Sequence, residues 1–245
     1  MSRHLSLRSG NPALTADTFK NVKIASDDVM TINGTVNKTI ISLSLLLIAG
    51  YYTYINQLFV FIPIGFIGGF IVALVTIFKK QWAPTTVPLY AILEGLALGG
   101  ISFYYNNLYS GIVSQAILLT LGILFALLFA YKSKIIAPTE NFKLGLFAAT
   151  GGIFLVYIVS FIMSFFGASL PILNPTNSSL FSIGFSLFVV VIASLNLVLD
   201  FDFIEEGSEL GAPKYMEWFG AFGLLVTLVW LYLEILRLLS KLRSR

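Results

Sequence analysis

The sequence predicts an all-α integral membrane protein with seven transmembrane helices. Hydrophobic residues make up 57% of its 245 residues and charged residues only 11%, whereas soluble domains carry about 25% charged residues. The apolar residues form seven stretches of the length, about 20 residues, that crosses a bilayer core of about 30 Å. Three carboxylates, those of Glu94, Asp200 and Glu234, lie within these stretches or at their ends. Such carboxylates are costly in hydrocarbon and usually mark a function.

The seven predicted spans follow one another with short loops between them. They cover residues 36–55, 58–78, 86–105, 111–131, 142–166, 179–203 and 218–240. Hydrocarbon offers no partner for backbone polar groups, so spans of this kind should be helices, and the runs are too continuous for barrel strands. We therefore expect a polar tail at residues 1–34, which lacks the apolar core of a signal peptide, and one seven-helix domain at residues 35–245.

The placement of lysine and arginine predicts the orientation. The tail, the second and fourth loops and the sixth loop carry these residues, whereas the first, third and fifth loops carry none. The positive-inside rule then places the N-terminus, with its tail, in the cytoplasm. The basic C-terminal end is the exception: Arg245 lies outside if the seventh segment crosses, and inside if the segment re-enters. We favour crossing, because the segment is long enough and begins at Trp218. The net charge of +3 is thus a topology signal rather than a nucleic-acid-binding surface.

Small residues recur at helical spacing in two spans. Gly65 and Gly69 form a GxxxG pattern in the second span, and Gly95 and Gly99 form another in the third. This spacing lets helix backbones approach closely, so we interpret both patterns as packing surfaces.

The carboxylates are the candidate functional residues. Glu94 lies near the middle of the third span, where it is either a neutral carboxyl bonded to a neighbouring helix or part of an ion pathway. Asp200 directly follows an apolar run, whereas Asp202 points to a different side of the helix and Glu205, Glu206 and Glu209 read as a solvated acidic loop. Glu234 is three residues from Arg237, a spacing that permits an intrahelical ion pair, or else it faces Asp200 across the bundle.

Familiar enzyme types are disfavoured. The one histidine, His4, lies in the tail, and the chain has no cysteine. A serine–histidine dyad within the membrane and a histidine- or thiolate-ligated zinc site are therefore excluded. No HExxH or GxSxG pattern occurs. We expect neither an enzyme nor a resident cofactor.

Three segments carry a resemblance to a known family. They are APTTVPLYAILEGLALGGIS in the third span, SLNLVLDFDFIEEG at the end of the sixth, and GAPKYMEWFGAFGLLVTLVWLYLEILRLL leading through the seventh. Together they resemble the Bax inhibitor-1 family, also called the transmembrane Bax-inhibitor-motif family, and are most similar to its bacterial branch. The resemblance covers about residues 35–240.

This resemblance implies a fold and an activity. It implies that the seventh helix is central in a bundle of six, and that the protein is a calcium leak channel controlled by pH. A carboxylate pair shares a proton and closes the pore, and the matching residues here are Asp200 and Glu234, which would also be the oxygen ligands of a passing calcium ion. Asp200 and Glu234 are 34 positions apart in the sequence, which is longer than the family pattern implies. Asp202 is therefore an alternative partner of Glu234. The second span holds no arginine to latch the sixth-helix acid, so Lys79 or Lys80 would replace it.

Two main functions remain open at this stage. The first is a pH-sensitive cation leak in a bacterial cytoplasmic membrane, with calcium favoured because hard cations prefer oxygen ligands. The second is a membrane-embedded regulator that binds other membrane proteins, such as a quality-control protease, through the polar tail. A secondary transporter is a third reading, for which the sequence identifies no substrate pocket.

Overall fold

The described part of the chain is entirely a bundle of long helices. A computed structural model describes residues 29–245, and in it the helices are α1 (Ile32–Asn56), α2 (Phe61–Phe78), α3 (Ala83–Leu108), α4 (Ile112–Lys132), α5 (Glu140–Phe165), α6 (Leu180–Glu209) and α7 (Met216–Arg243). Short 3₁₀ turns at Lys80–Trp82 and Pro171–Leu173 precede α3 and α6. All seven helices are long and apolar enough to cross a membrane. The predicted seven-span, all-α fold is confirmed.

The first helix begins earlier than the sequence indicated. Thr31 caps α1, because its side-chain oxygen accepts a hydrogen bond from Gly34 N at 2.9 Å, an arrangement that satisfies one of the free N–H groups at a helix start. Residues 32–34 of the predicted tail therefore belong to α1. Residues 1–28 lie outside the described residues. Met30 is fixed by a 2.6 Å hydrogen bond to Ala212 O in the α6–α7 connection, so the chain enters the bundle already attached to it.

The sixth helix continues two turns beyond its predicted end. The acidic residues after Asp202 were expected to form a solvated loop, but α6 extends to Glu209. Side chains from neighbouring helices bind two acids in the last part of α6: Lys143 on α5 pairs with Asp202 at 2.5 Å, and Tyr131 on α4 donates to Glu205. Helical structure thus persists past the membrane, because the polar groups find partners on the surface.

The seventh helix lies in the centre of the bundle. In the most apolar window of α7, 78% of the residues are buried, against 17% for α2 and α4 and 11% for α5. It packs directly against α1, α3, α4 and α6, and a side chain of α5 reaches it as well. Helix α2 packs mainly against α3. The expected central seventh helix is confirmed, with α2 in a more peripheral place than an even ring of six implies.

The last segment crosses the bundle rather than re-entering it. The start of α7 lies beside the start of α1, where Thr31 Oγ1 donates to Glu217 at 2.9 Å. Its end lies at the opposite face, where Arg243 Nη1 donates to Ser110 O in the α3–α4 connection at 2.7 Å. We call these the N-terminal face and the C-terminal face. The three loops without lysine or arginine all lie at the C-terminal face.

The two glycine patterns are contact surfaces, as the sequence indicated. A Cβ atom added at Gly95 would collide with Leu46 O, and one at Gly99 would collide with Gly50 O; both oxygens belong to α1. On the other side of α3, a Cβ atom at Gly65 of α2 would lie 2.7 Å from the Cβ of Ala97. Helices α1, α2 and α3 therefore touch backbone to backbone, which only residues without bulky side chains permit.

Replacing Gly99 should weaken the contact between α1 and α3. We expect Gly99→Ala to reduce the free energy of unfolding by roughly 1–3 kcal/mol, because the added methyl group forces the backbones apart. Gly122→Ala is the matched control, since Gly122 is also within a helix and nothing lies within 4 Å of its added Cβ. Thermal unfolding in detergent micelles measures both. Equal stability of the two variants would contradict the packing interpretation.

The orientation can be tested with single cysteines, because the chain has none of its own. A cysteine at Ser133, in the α4–α5 connection, should be protected from an impermeant thiol reagent in intact cells, and one at Ser244 should react. The expected difference follows from the opposite faces of the two sites and from the positive-inside rule. Reaction at Ser133 but not at Ser244 would invert the topology.

Candidate functional site

A buried carboxylate at the centre of the bundle has a complete set of partners. Glu234 on α7 is 2% exposed. Arg237 Nη1 donates to both of its oxygens, at 2.7 and 2.9 Å, and Tyr157 Oη on α5 donates to Oε1 at 2.6 Å. The Arg237 guanidinium also lies 5.6 Å from the centroid of the Tyr157 ring. We call these three residues the Glu234 centre.

The local sequence explains this centre. Residues three apart on a helix share a face, so Glu234 and Arg237 are neighbours before any tertiary contact forms. A buried ion pair still needs further hydrogen bonds to offset the loss of hydration, and the Tyr157 hydroxyl provides one. Of the two alternatives that the sequence left open for Glu234, the structure has the intrahelical ion pair. The role of Tyr157 was missed, although a phenol in the middle of an apolar span is itself a sign that a polar partner lies nearby.

The second buried acid lies on α6. Asp200 is fully buried, and its chain neighbour Phe201 belongs to the main hydrophobic core. One turn earlier, Asn196 is 1% exposed and donates through Nδ2 to Thr150 Oγ1 on α5 at 3.0 Å. Asn196 and Asp200 are four residues apart, a spacing that puts them on one face of α6. This polar face points into the bundle.

The pairing of α6 with α7 fixes the relative depth of the two acids. The helices are antiparallel, and Gly220 packs against Ile204, since a Cβ atom added at Gly220 would lie 3.1 Å from Ile204 Cγ1. Asp200 is four residues before Ile204, so it is level with about residue 224 of α7. Glu234 lies ten residues further along α7. At 1.5 Å per residue, the levels of the two carboxylates are about 15 Å apart.

Contacts with α5 independently indicate a similar separation between the levels of Asp200 and Glu234. Lys143 of α5 bonds Asp202, whereas Tyr157 of α5 bonds Glu234. The two α5 residues are 14 positions apart, which corresponds to about 21 Å, and Asp200 lies only two residues from Asp202. The expectation that Asp200 and Glu234 face each other and share one proton is therefore corrected: the hairpin register places them at different depths.

Asp202 is likewise not a substitute partner. Its side chain is 23% exposed and forms an ion pair with Lys143, with 2.5 Å between Nζ and Oδ2. This pair lies toward the N-terminal face, at the opposite end of α5 from Tyr157. As predicted from the helical spacing, Asp202 does not point to the same side as the fully buried Asp200.

The third acid faces the peripheral helix. Glu94 on α3 is 6% exposed, and a Cβ atom added at Gly69 of α2 would lie 2.8 Å from Glu94 Oε1. Its Oε2 is buried and has no hydrogen-bond partner among the described residues. Tyr90, one turn earlier, interacts with the carboxyl group and packs edge-to-face against Phe222 of α7, with ring centroids 5.0 Å apart. Glu94 thus lies between α2 and α3, connected to α7 through Tyr90.

The structure separates the two candidate latch residues. Lys79 is exposed at the end of α2. Lys80 is half-buried, and its Nζ lies 5.5 Å from the centroid of the Phe219 ring near the start of α7. Phe219 in turn lies 6.4 Å, centroid to centroid, from Phe203 on α6. Lys80 alone therefore reaches the region between α6 and α7.

The acids do not form a preassembled metal cage. In residues 29–245, no group of three or more histidine, cysteine, aspartate or glutamate side chains is close enough to hold a metal ion. The separation of Asp200 from Glu234 also rules out the calcium site expected between them, because ligand oxygens must lie within about 2.6 Å of one ion. Asp200 and Glu234 are therefore single buried carboxylates at different depths.

Two further buried charges escaped the sequence analysis. Glu217, 1% exposed, accepts hydrogen bonds from Thr31 N and Oγ1 at 3.1 and 2.9 Å and pairs with Lys214 at 3.0 Å. At the other end of α7, Lys241 is fully buried and donates to Ile172 O at 2.5 Å and to Ser186 Oγ at 2.8 Å. Glu217 and Lys241 attach the two ends of α7 to neighbouring segments. Lys241 therefore has a structural role at the C-terminal face.

Breaking the Glu234 centre on one side only should be costly. We expect Arg237→Gln to lower the free energy of unfolding by about 2–5 kcal/mol, because Glu234 keeps its charge in a buried place without its partner. The double variant Glu234→Gln with Arg237→Gln should recover most of this loss. A double-mutant cycle measured by thermal unfolding gives the coupling. Additive costs of the two substitutions would contradict the arrangement described above.

The chain matches one family over nearly its whole length. The family model described as Bax inhibitor 1 like matches residues 11–244, which includes all seven helices and every acid discussed here. No curated protein matches the chain. The seven apolar helices, the central α7 and this match together establish a multi-pass membrane protein, and the chain belongs to the Bax inhibitor 1 like family.

Proposed function

We propose that this protein is a pH-sensitive cation leak channel of a bacterial cytoplasmic membrane, with calcium as the favoured ion. Asp200 and Glu234 are the acidic groups of its pathway, and Glu94 is a third acid beside it. In this proposal the protein catalyses no reaction and needs no resident cofactor; the cation is its substrate. The observation that carries the proposal is the burial of two carboxylates, on the neighbouring helices α6 and α7, inside an otherwise apolar bundle.

The depth of the acids supports a stepwise pathway. Conduction requires sites that attract an ion without trapping it. Asp200 and Glu234, about 15 Å apart along the bundle, can act as successive stations for a cation. A single site with both carboxylates at one level would bind calcium more tightly and release it more slowly.

The positively charged side chains near the acids can hold the cation pathway closed. Arg237 neutralises Glu234, so a cation gains little by approaching it while the pair is intact. Lys80, which reaches the region between α6 and α7, is the proposed latch at the N-terminal face. A cation can pass when these fixed positive charges move aside, because calcium then takes their place beside the carboxylates.

The direction of the pH dependence follows from charge. Protonation neutralises a carboxylate and removes its attraction for cations, so calcium flux should rise as pH rises. We expect Asp200→Asn to lower the flux at alkaline pH by roughly tenfold, the equivalent of about 1.4 kcal/mol of lost attraction. The double variant Asp200→Asn with Glu234→Gln should lose the pH dependence. The measurement is calcium flux into proteoliposomes that contain only this protein, over a range of pH.

Two matched controls sharpen this experiment. Asp202→Asn is the same substitution two residues away, in a surface ion pair, and should leave the flux profile unchanged. Lys80→Met should raise the flux, whereas Lys79→Met, at an exposed position, should not. An unchanged pH profile in the double variant would reject the carboxylates as the pH-sensing groups.

Absence of flux at every pH would instead favour the regulator function. In that case the carboxylates serve to hold the bundle together, and the polar tail is the contact element for another membrane protein. Removal of residues 1–28 should then abolish partner binding and leave the stability of the bundle intact.

A further inference from the structure

A cavity in the bundle opens onto the Glu234 centre. Its volume is about 350 Å³, and it lies between α2, α3 and α7 near the C-terminal face. Its walls are mostly apolar and aromatic and include Phe59, Phe66, Tyr104 and Tyr105. The one charged side chain that lines it is Arg237. A cation at the end of an apolar, aromatic cavity fits an amphiphile with a negative head.

The guanidinium of Arg237 has an edge available to a ligand. Its three hydrogen bonds to described residues, two to Glu234 and one to Tyr157, are all made by Nη1. Its side chain is 24% exposed although that of Glu234 is only 3% exposed. Arginine presents five donors in a planar fork, so Nη2 and Nε remain for a second planar acceptor.

The connections near the cavity hold no acidic residue that would repel an anion. In the connections at the C-terminal face, residues 57–60, 109–111 and 166–179, the sequence has no aspartate or glutamate. Glu234 is thus the only carboxylate that we find bonded to Arg237 in the described residues, and it occupies one edge alone. A ligand anion at the other edge meets no acidic side chain of these connections.

The depth of Arg237 in the bundle favours an amphiphile with a small head group. Arg237 lies six residues before the end of α7, about 9 Å below the C-terminal face. A phospholipid phosphate carries a bulky head group and stays at the surface. A single-chain carboxylate has no such group, can sink to this depth, and pairs with guanidinium through two parallel hydrogen bonds.

We propose that this cavity binds the carboxylate of a single-chain amphiphile, of the long-chain fatty-acid class, on the free edge of Arg237. The hydrocarbon chain runs along the aromatic wall between α2 and α3 toward the lipid. The bound head shares Arg237 with Glu234, so it competes with Glu234 for the guanidinium. This binding goes beyond the cation leak and does not depend on it.

The test measures binding without any ion gradient. The full-length protein is placed in phosphatidylcholine nanodiscs, and an 18-carbon carboxylic acid with a nitroxide on its chain is added. Electron paramagnetic resonance reports the immobilised fraction. The acid should bind at least about tenfold more tightly than its methyl ester, because the ester cannot form the charged pair. Equal binding of acid and ester would overturn the proposal, as would equal or tighter binding of a lysophosphatidic acid.

Substitutions at the Glu234 centre should act in opposite directions. Glu234→Gln removes the competing carboxylate and should tighten binding of the acid severalfold. Glu234→Gln with Arg237→Gln removes the cation as well, leaves the net charge of the chain unchanged, and should weaken binding by at least about tenfold. A purely structural role of these residues would change both variants in the same direction, which would count against the proposal.

The cavity itself can be filled as an independent check. Ile62→Trp places a large side chain on the α2 wall of the cavity and should weaken binding. Ile64→Trp is the matched control, because Ile64 is on the same helix but 48% exposed on its outer surface. Circular dichroism confirms that both variants keep their helices. Unchanged binding in Ile62→Trp would show that the acid binds elsewhere.

Discussion

The structure depends on the neutralisation of charge within a central helix that the other helices of the bundle enclose. Helix α7 carries Glu217 near its start, Glu234 in its interior and Lys241 near its end, and all three are buried. An isolated charge in such a place is not tolerated. Each has partners on another part of the chain: the start of α1, helix α5, or the α5–α6 connection. The same polar contacts that remove the electrostatic cost also position α7 along its axis.

Close backbone contact is the second requirement, because lipid provides no hydrophobic force to hold helices together. The glycines of α3 allow close backbone contact with α1, and the glycines of α2 allow the same contact on the opposite side of α3. This packing brings Glu94 against Gly69 and connects it, through Tyr90 and Phe222, to the central helix. The acids of the three helices are thereby distributed over the bundle instead of collected at one point, and a pathway with several single stations fits this distribution better than one shared site.

Arg237 unites the two proposals. It neutralises Glu234 on α7 through Nη1, and its side chain also lines the cavity. An anion that reaches the Glu234 centre competes with Glu234 for the guanidinium, and a cation competes with Arg237 for the carboxylate, so either one weakens this ion pair. A cation passing Glu234 and an anion held by Arg237 would favour the same separation of the pair.

The sequence by itself determined the number of helices, their approximate bounds, the glycine contacts and the family, and it placed Glu234 and Arg237 on one helix face. These features are local, because apolar length, helical spacing and residue size fix them without knowledge of the neighbours. Only the tertiary structure decided which acids meet. The register of α6 against α7 depends on side-chain contacts such as Gly220 with Ile204, and a shift of a few residues moves a carboxylate by a whole helical turn. Tyr157, 77 residues away in the chain, was therefore the partner of Glu234 that no local pattern could identify.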